Sequence, residues 1–421
     1  MRSRLIRALA IPAAAIGTLA LAGASTTPSP AHPAGAAAAP PPTAYVTNNG
    51  SNTVTAINTV TNKAYGTIKV GSSPGNILIA PNGKTAYIAG STGVTPVSTI
   101  THKAGKLIAI NYGAVNMAIT PDGKTLYVTN FSWYTRDNTV IPVSTATGKV
   151  GKPITWQPGA EWGASPLLVT PNGKTLYVAS TLGTVTAIST ATNKAGKPIT
   201  FGGQAENGAV YMAITPNGKT LYAFGSGPYG PGNTVTPIST ATNKAGKPIT
   251  VGQWPVAIVV TPSGKTVYVA STGSGPTGCF MKSPQCGPAR PTSVPATVTP
   301  ISTATNRPGK AITLGPTASS LTMAITPNGR TVYVHYSWFV AGHGSSAMIP
   351  ISTATNRAGK PVKLSSWGAG AIAITPNAKT IYCLSATSTG QGVVIPVRIP
   401  AGTVLKAIHV GNWPIAIAIA P

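Results

Sequence analysis

Pro171-Asn172-Gly173-Lys174-Thr175-Leu176-Tyr177-Val178 is the stretch that decides the fold. Proline and Asn-Gly are turn-formers, and the Thr-Leu-Tyr-Val that follows suits a pleated, half-buried strand. The Pro-to-Tyr part recurs intact at Pro81 and Pro216, and close variants start at Pro121, Pro262, Pro327 and Pro376. A short apolar run precedes each copy, as Met117-Ala118-Ile119-Thr120 does. A variable Gly/Ser loop follows, then a third strand of the type Thr234-Val235-Thr236-Pro237-Ile238-Ser239. A fourth, such as Lys247-Pro248-Ile249-Thr250-Val251, closes the unit. The marker tyrosines are Tyr45, Tyr87, Tyr127, Tyr177, Tyr222, Tyr268, Tyr333 and Tyr382, spaced 40 to 65 residues apart. Four short strands per repeat of about 40–45 residues is the arithmetic of a β-propeller blade.

The ends of the repeat region fit ring closure. The repeats begin at the Tyr45 strand with no first strand before it, and Ala416-Ile417-Ala418-Ile419-Ala420-Pro421 reads as a first strand with no hairpin after it. Pairing the two completes a blade and removes two open sheet edges. The expectation is an all-β propeller of eight four-stranded blades. Seven blades with a decayed repeat is the runner-up, ahead of an open solenoid.

Tyr45-Val46-Thr47-Asn48 and Tyr127-Val128-Thr129-Asn130 carry a resemblance. The chain resembles the YVTN family of β-propeller repeat proteins over residues 43–421. The resemblance implies the fold and an exported or cell-surface setting, and it implies no particular activity. Such proteins are often seven-bladed, so a count of eight departs from the common case.

Ahead of the repeats, Arg2, Arg4 and Arg7 precede an uncharged Ala/Leu/Ile stretch from Ala8 to Ala22, and Ala22-Gly23-Ala24 offers small residues for cleavage. This pattern predicts a Sec-type signal peptide over 1–24. The Pro/Ala-rich stretch over 25–42 reads as an extended linker. The mature chain is expected to be secreted or wall-associated, monomeric and without a transmembrane segment.

Composition limits the chemistry. Of 421 residues, 42% are hydrophobic and only 8% are charged, with 30 Lys and Arg against four Asp and Glu. Paired-carboxylate catalysis is nearly excluded by supply. No haem-attachment motif, zinc-type spacing or phosphate loop is present, so no cofactor, metal or catalytic residue is assigned.

Propeller topology sorts the remaining charge. The first-to-second strand hairpins carry Lys84, Lys124, Lys174, Lys219, Lys265, Arg330 and Lys379. The third-to-fourth hairpins, expected on the same face, bring the count to 20 of the 27 bases that remain after the signal peptide. These rings predict a surface for anionic cell-wall or cell-surface polymer, binding through a salt-sensitive field. The alternative is a Lys-Thr turn merely copied by duplication. Nucleic acid is disfavoured, because no aromatic residues interleave with these lysines for base stacking.

The opposite face is expected to collect the aromatics. Trp133 and Trp338 read as second-to-third loop residues; Trp156, Trp162, Trp254, Trp367 and Trp413 read as blade-to-blade connections, with Glu161 and Glu206 nearby. Together these nine are the candidate site for a glycan, small-molecule or protein ligand, weighed against simple packing between blades. Gly252-Gln253-Trp254-Pro255 and Gly411-Asn412-Trp413-Pro414 look like repeat consensus; Trp133, Trp162 and Trp338 are the better ligand candidates. A lactonase-like hydrolase or lyase, with a channel-mouth metal held by Glu161, Glu206, His335 and His343, is the alternative function. In the long loop from Ala270 to Thr297, Cys279 and Cys286 are expected to form a disulfide. Cys383 replaces a strand Val and is expected to be a buried free thiol.

Overall fold

The computed structural model describes residues 41–131, 138–157, 166–202, 209–226, 232–273, 294–340, 343–364, 370–386 and 390–421. Residues 1–24, expected to be a signal peptide, and nearly all of the expected linker lie outside them, as do Cys279 and Cys286.

The Pro-Asn-Gly-Lys stretch folds as the local chemistry demands. In blade 3, Gly123 N–H donates to Thr120 O at 2.8 Å and Thr120 N–H to Thr125 O at 3.0 Å. Pro121 takes the second position of the turn, which its fixed φ suits. Only Gly123 needs positive φ, at 71°. The Asp122 carboxylate instead caps the turn, accepting from Thr120 Oγ1 and from Lys124 N–H at 3.0 Å. Asn172, Asn217, Asn328 and Asn377 accept the same two bonds in their own hairpins.

Eight antiparallel sheets result, each with its first strand at one edge and its fourth strand or strands at the other. First strands of neighbouring sheets meet around the axis, for example Ala209–Ile214 of blade 5 against Pro255–Val260 of blade 6. Blade 1 is assembled from both ends of the repeat region. Pro414–Ala420 pairs with Thr43–Asn48, which is followed by Thr53–Asn58 and Lys63–Lys69. The expected eight-bladed ring is therefore what forms. The one helical turn among the described residues is the 3-10 segment Asn49–Ser51.

Eight apolar clusters fill the junctions. Tyr177, Ala179 and Val185 of blade 4, for instance, pack on Val210, Ile214 and Leu221 of blade 5. Close packing of facing sheets, not charge pairing, holds the ring. Cys383 is such a core residue, a buried free thiol between blades 7 and 8 whose ionisation is pushed up to about 12 by burial.

A second device bridges the blades. Each third strand leads into a turn of the type Ser-Thr-Ala-Thr-Asn, whose Asn has positive φ: Asn193 at 55°, Asn243 at 52°, Asn306 at 54°, Asn356 at 51° and Asn62 at 56°. The marker tyrosine of the preceding blade reaches that Asn. Tyr127, Tyr177, Tyr222, Tyr268 and Tyr382 donate to the Oδ1 of Asn193, Asn243, Asn306, Asn356 and Asn62 at 3.1, 2.8, 2.6, 2.6 and 2.5 Å. At the first junction His102 takes the position, 2.7 Å from the Tyr45 hydroxyl. Asn satisfies two needs at once, tolerance of the left-handed region and a side-chain acceptor. Gly148 and Gly402 meet only the first need, at φ 68° and 70°. Tyr382–Asn62 ties blade 8 to blade 1, so these bonds, interrupted at the Gly148 and Gly402 turns, also join the C-terminal repeat to the N-terminal strands.

Candidate functional site

The lysine face is built by hairpins that hold one another. The third-strand Thr of each turn donates to the hairpin Gly of its own blade: Thr99 to Gly83, Thr145 to Gly123, Thr190 to Gly173, Thr303 to Gly264, each at 2.6 Å. These bonds place first-to-second and third-to-fourth hairpins on one face. Successive hairpins also touch around the axis. A Cβ added to Gly173, Gly218 or Gly264 would meet Pro121, Pro171 or Pro216 of the preceding blade at 3.2–3.3 Å. Pro421 takes the same place against Gly83.

On this frame Lys84, Lys124, Lys174, Lys219, Lys265, Arg330 and Lys379 are all exposed, one on the first-to-second hairpin of each blade from 2 to 8. The outer lysines, such as Lys103, Lys152, Lys194 and Lys247, are exposed as well. Asp122 is the only described carboxylate side chain, and its oxygens serve its own turn; those bonds hold it below the ordinary carboxylate range. The face is therefore an almost uncompensated positive field. A cleft of about 530 Å³ opens on it between blades 3 and 4, lined by Pro142, Lys152, Pro153, Thr192 and Asn193 among others.

The opposite face carries the connections between blades. Trp254 N–H donates to Gly232 O and Trp413 N–H to Gly390 O, both at 2.9 Å, joining each connection to the loop of the preceding blade. Both tryptophans have positive φ, 56° and 51°, and Tyr112 holds a like position at 64°. A bulky side chain is seldom found in that conformation. Trp413 and Tyr112 are 59% and 58% exposed. The Trp413 indole lies on glycines, since a Cβ at Gly50 or Gly390 would come within 2.5 or 2.7 Å of its ring.

Several expectations need correction. Trp156 is not in a connection. It sits in the fourth strand Ile154–Gln157 of blade 3, 4% exposed and packed on Tyr127, Val140 and Leu176. Its Nε1 finds no partner. Trp338 is not in a loop either. The blade 7 hairpin stays paired from Thr331↔Ser352 out to Val340↔His343, so Trp338 is a strand residue stacked on Tyr336 at 4.7 Å. His335 and His343 belong to the same pair of strands.

His335 is fully buried and occupies the place of Thr47 in blade 1. Thr47 Oγ1 donates to Gly75 O at 2.8 Å; His335 Nδ1 lies 3.2 Å from Gly370 O. A carbonyl only accepts, so the proton is on Nδ1 and the bare Nε2 is left without a partner. Burial lowers its ionisation to about 4. Trp133, Trp162, Trp367, Glu161 and Glu206 lie outside the described residues. Among the described residues no three of His, Cys, Asp and Glu gather at one point. The sequence reading missed the Tyr–Asn bonds and the shared positive φ of Tyr112, Trp254 and Trp413.

The molecule is thus an eight-bladed β-propeller with one strongly basic face. No protein-family profile matches the chain, and no curated protein does. Solved structures share the fold. The dihydro-heme d1 dehydrogenase NirN in complex with DHE is similar at a TM-score of 0.65 and 14% identity, over 93% of this chain and 77% of that one. Kuenenia stuttgartiensis hydrazine synthase is similar at 0.54 and 20% identity, over 80% and 96%. A functionally unknown protein from Desulfotomaculum acetoxidans DSM 771 is similar at 0.56 and 15% identity, over 90% and 98%. Identities this low speak for the fold alone.

Proposed function

We propose that this chain is an exported, YVTN-type binding or scaffold propeller of the cell surface. Its lysine-rich face holds anionic surface polymer, and its aromatic face presents a glycan, small-molecule or protein site. The observation that carries the reading is the ring of seven exposed bases, fixed by interlocked hairpins and opposed by one self-capped carboxylate. Lysines on rigid turns lose little positional freedom on binding a polyanion, and their field adds over many weak contacts. Trp413 and Tyr112 support the second half, because each is exposed despite a backbone conformation that bulky residues avoid.

The test is retention of the mature chain on anionic wall polymer across a salt series, with tryptophan fluorescence read against a panel of glycans. Retention should weaken steeply with salt. Absence of retention at low salt would remove the polymer reading, and glycan-induced shifts that survive Trp413→Ala would move the second site elsewhere.

A further inference from the structure

The lysine face is not uniform around the ring. Among the described residues its exposed large apolar side chains are Val60, Tyr65, Ile100, Val150 and Val404, and all lie on four successive blades, 8, 1, 2 and 3. Val60 and Ile100 project from equivalent third-to-fourth turns and are 72% and 58% exposed. Blades 3 to 7 carry Ala146, Ala191, Ala241, Ala304 and Ala354 at that position, and blade 8 carries Pro400. Tyr65 of blade 1 stacks on His102 of blade 2 at 4.6 Å, so the two apolar turns are joined side by side.

Duplication explains what the repeats share. It does not explain apolar replacements confined to one sector of a basic face. Exposed Lys63, Lys103, Lys106 and Lys149 surround these side chains. A surface that is both strongly basic and studded with protruding aliphatic groups is complementary to an anionic bilayer, whose headgroups attract the lysines while its acyl boundary accepts the apolar tips. A soluble polyanion has no use for the second feature. The chain also enters the fold in this sector, where Thr59 N–H donates to Pro42 O at 3.1 Å. Pro42 therefore lies next to the turn that carries Val60.

We infer that the sector formed by blades 8, 1, 2 and 3 docks on a membrane of anionic phospholipid, with Val60 and Ile100 inserted between headgroups. The inference rests on the basic-face reading above and narrows it to a lipid surface. The experiment is co-sedimentation of the mature chain with phosphatidylcholine vesicles, with and without phosphatidylglycerol, alongside binding to soluble polyphosphate. The variant is Val60→Ser with Ile100→Ser, at exposed positions outside the core. The expected result is binding to anionic but not neutral vesicles, about tenfold weaker in the variant, with polyphosphate binding unchanged. Equal vesicle binding by parent and variant would overturn the inference. So would light scattering that shows a dimer dissolved by the same substitutions. If polyphosphate binds and anionic vesicles do not, only the membrane inference falls. If neither binds, the basic-face reading falls with it.

Discussion

A single tyrosine hydroxyl shows how the repeat becomes a ring. Tyr177 lies in the middle strand pair of blade 4, fully buried along its ring, with its oxygen carried to Asn243 of blade 5. Burial pushes its ionisation up to about 12. A double-mutant cycle of Tyr177→Phe and Asn243→Gly should give a coupling of about 1 kcal/mol. Glycine keeps the left-handed turn, as Gly148 and Gly402 already do, so the cycle isolates the bond; no coupling would make it incidental. His335 offers a pH test. Its folded value of about 4 lies below the ordinary value of 6.5, so the unfolded chain binds the proton first. Stability it contributes is complete above pH 6.5 and is lost as pH falls toward 4, by roughly 3 kcal/mol. His335→Thr, the residue of blade 1, should flatten that part of the denaturation profile. An unchanged profile would place the proton uptake elsewhere.

Among elements, the hairpins were legible and the longer-range contacts were not. Pro, Asn-Gly and the β-branched run after them act within eight residues, so the sequence states them directly. The Tyr–Asn bond joins residues 66 apart in different repeats, and no local pattern announces it. Trp338 was misplaced because Ser337, Ser345 and Ser346 read as loop residues, while pairing carries that hairpin past the length of its neighbours. Trp156 was misplaced because Pro158-Gly159 marks a connection right behind it, while strand pairing carries the fourth strand as far as Gln157. The basic ring was legible because the turn repeats its lysine; the apolar sector lay in the deviations from the repeat. The connections carry a prediction of their own. Trp413→Gly should be more stable than Trp413→Ala by about 1 kcal/mol in chemical denaturation, since only glycine adopts φ of 51° without strain. Equal stabilities would show that the backbone relaxes there.

The whole molecule is a repeat cut open at one hairpin. Ala420 pairs with Thr43, and Pro421 sits where other blades place the hairpin proline. Relative to Pro81-Asn82-Gly83-Lys84-Thr85, only Asn-Gly-Lys is missing between Pro421 and Thr43. A permutant with Pro421 joined to Thr43 through Asn-Gly-Lys, starting at Thr220 and ending at Pro216, should fold and melt in one transition close to the parent. Aggregation or a broad, early transition would mean that blade 1 closes by a device peculiar to it. The permutant would also add an eighth lysine at blade 1 while removing Lys219, leaving the size of the ring unchanged.

The ring of bases is the centre of the functional account, and one measurement addresses it most directly. Affinity for an anionic wall polymer is titrated against salt for the parent and for a variant with Lys84, Lys124, Lys174 and Lys219 replaced by Gln. The account predicts steep salt dependence in the parent. In the variant it predicts weaker binding at low salt, a shallower dependence and an unchanged melting temperature. Affinity that ignores salt, or a variant that binds as the parent does, would contradict it.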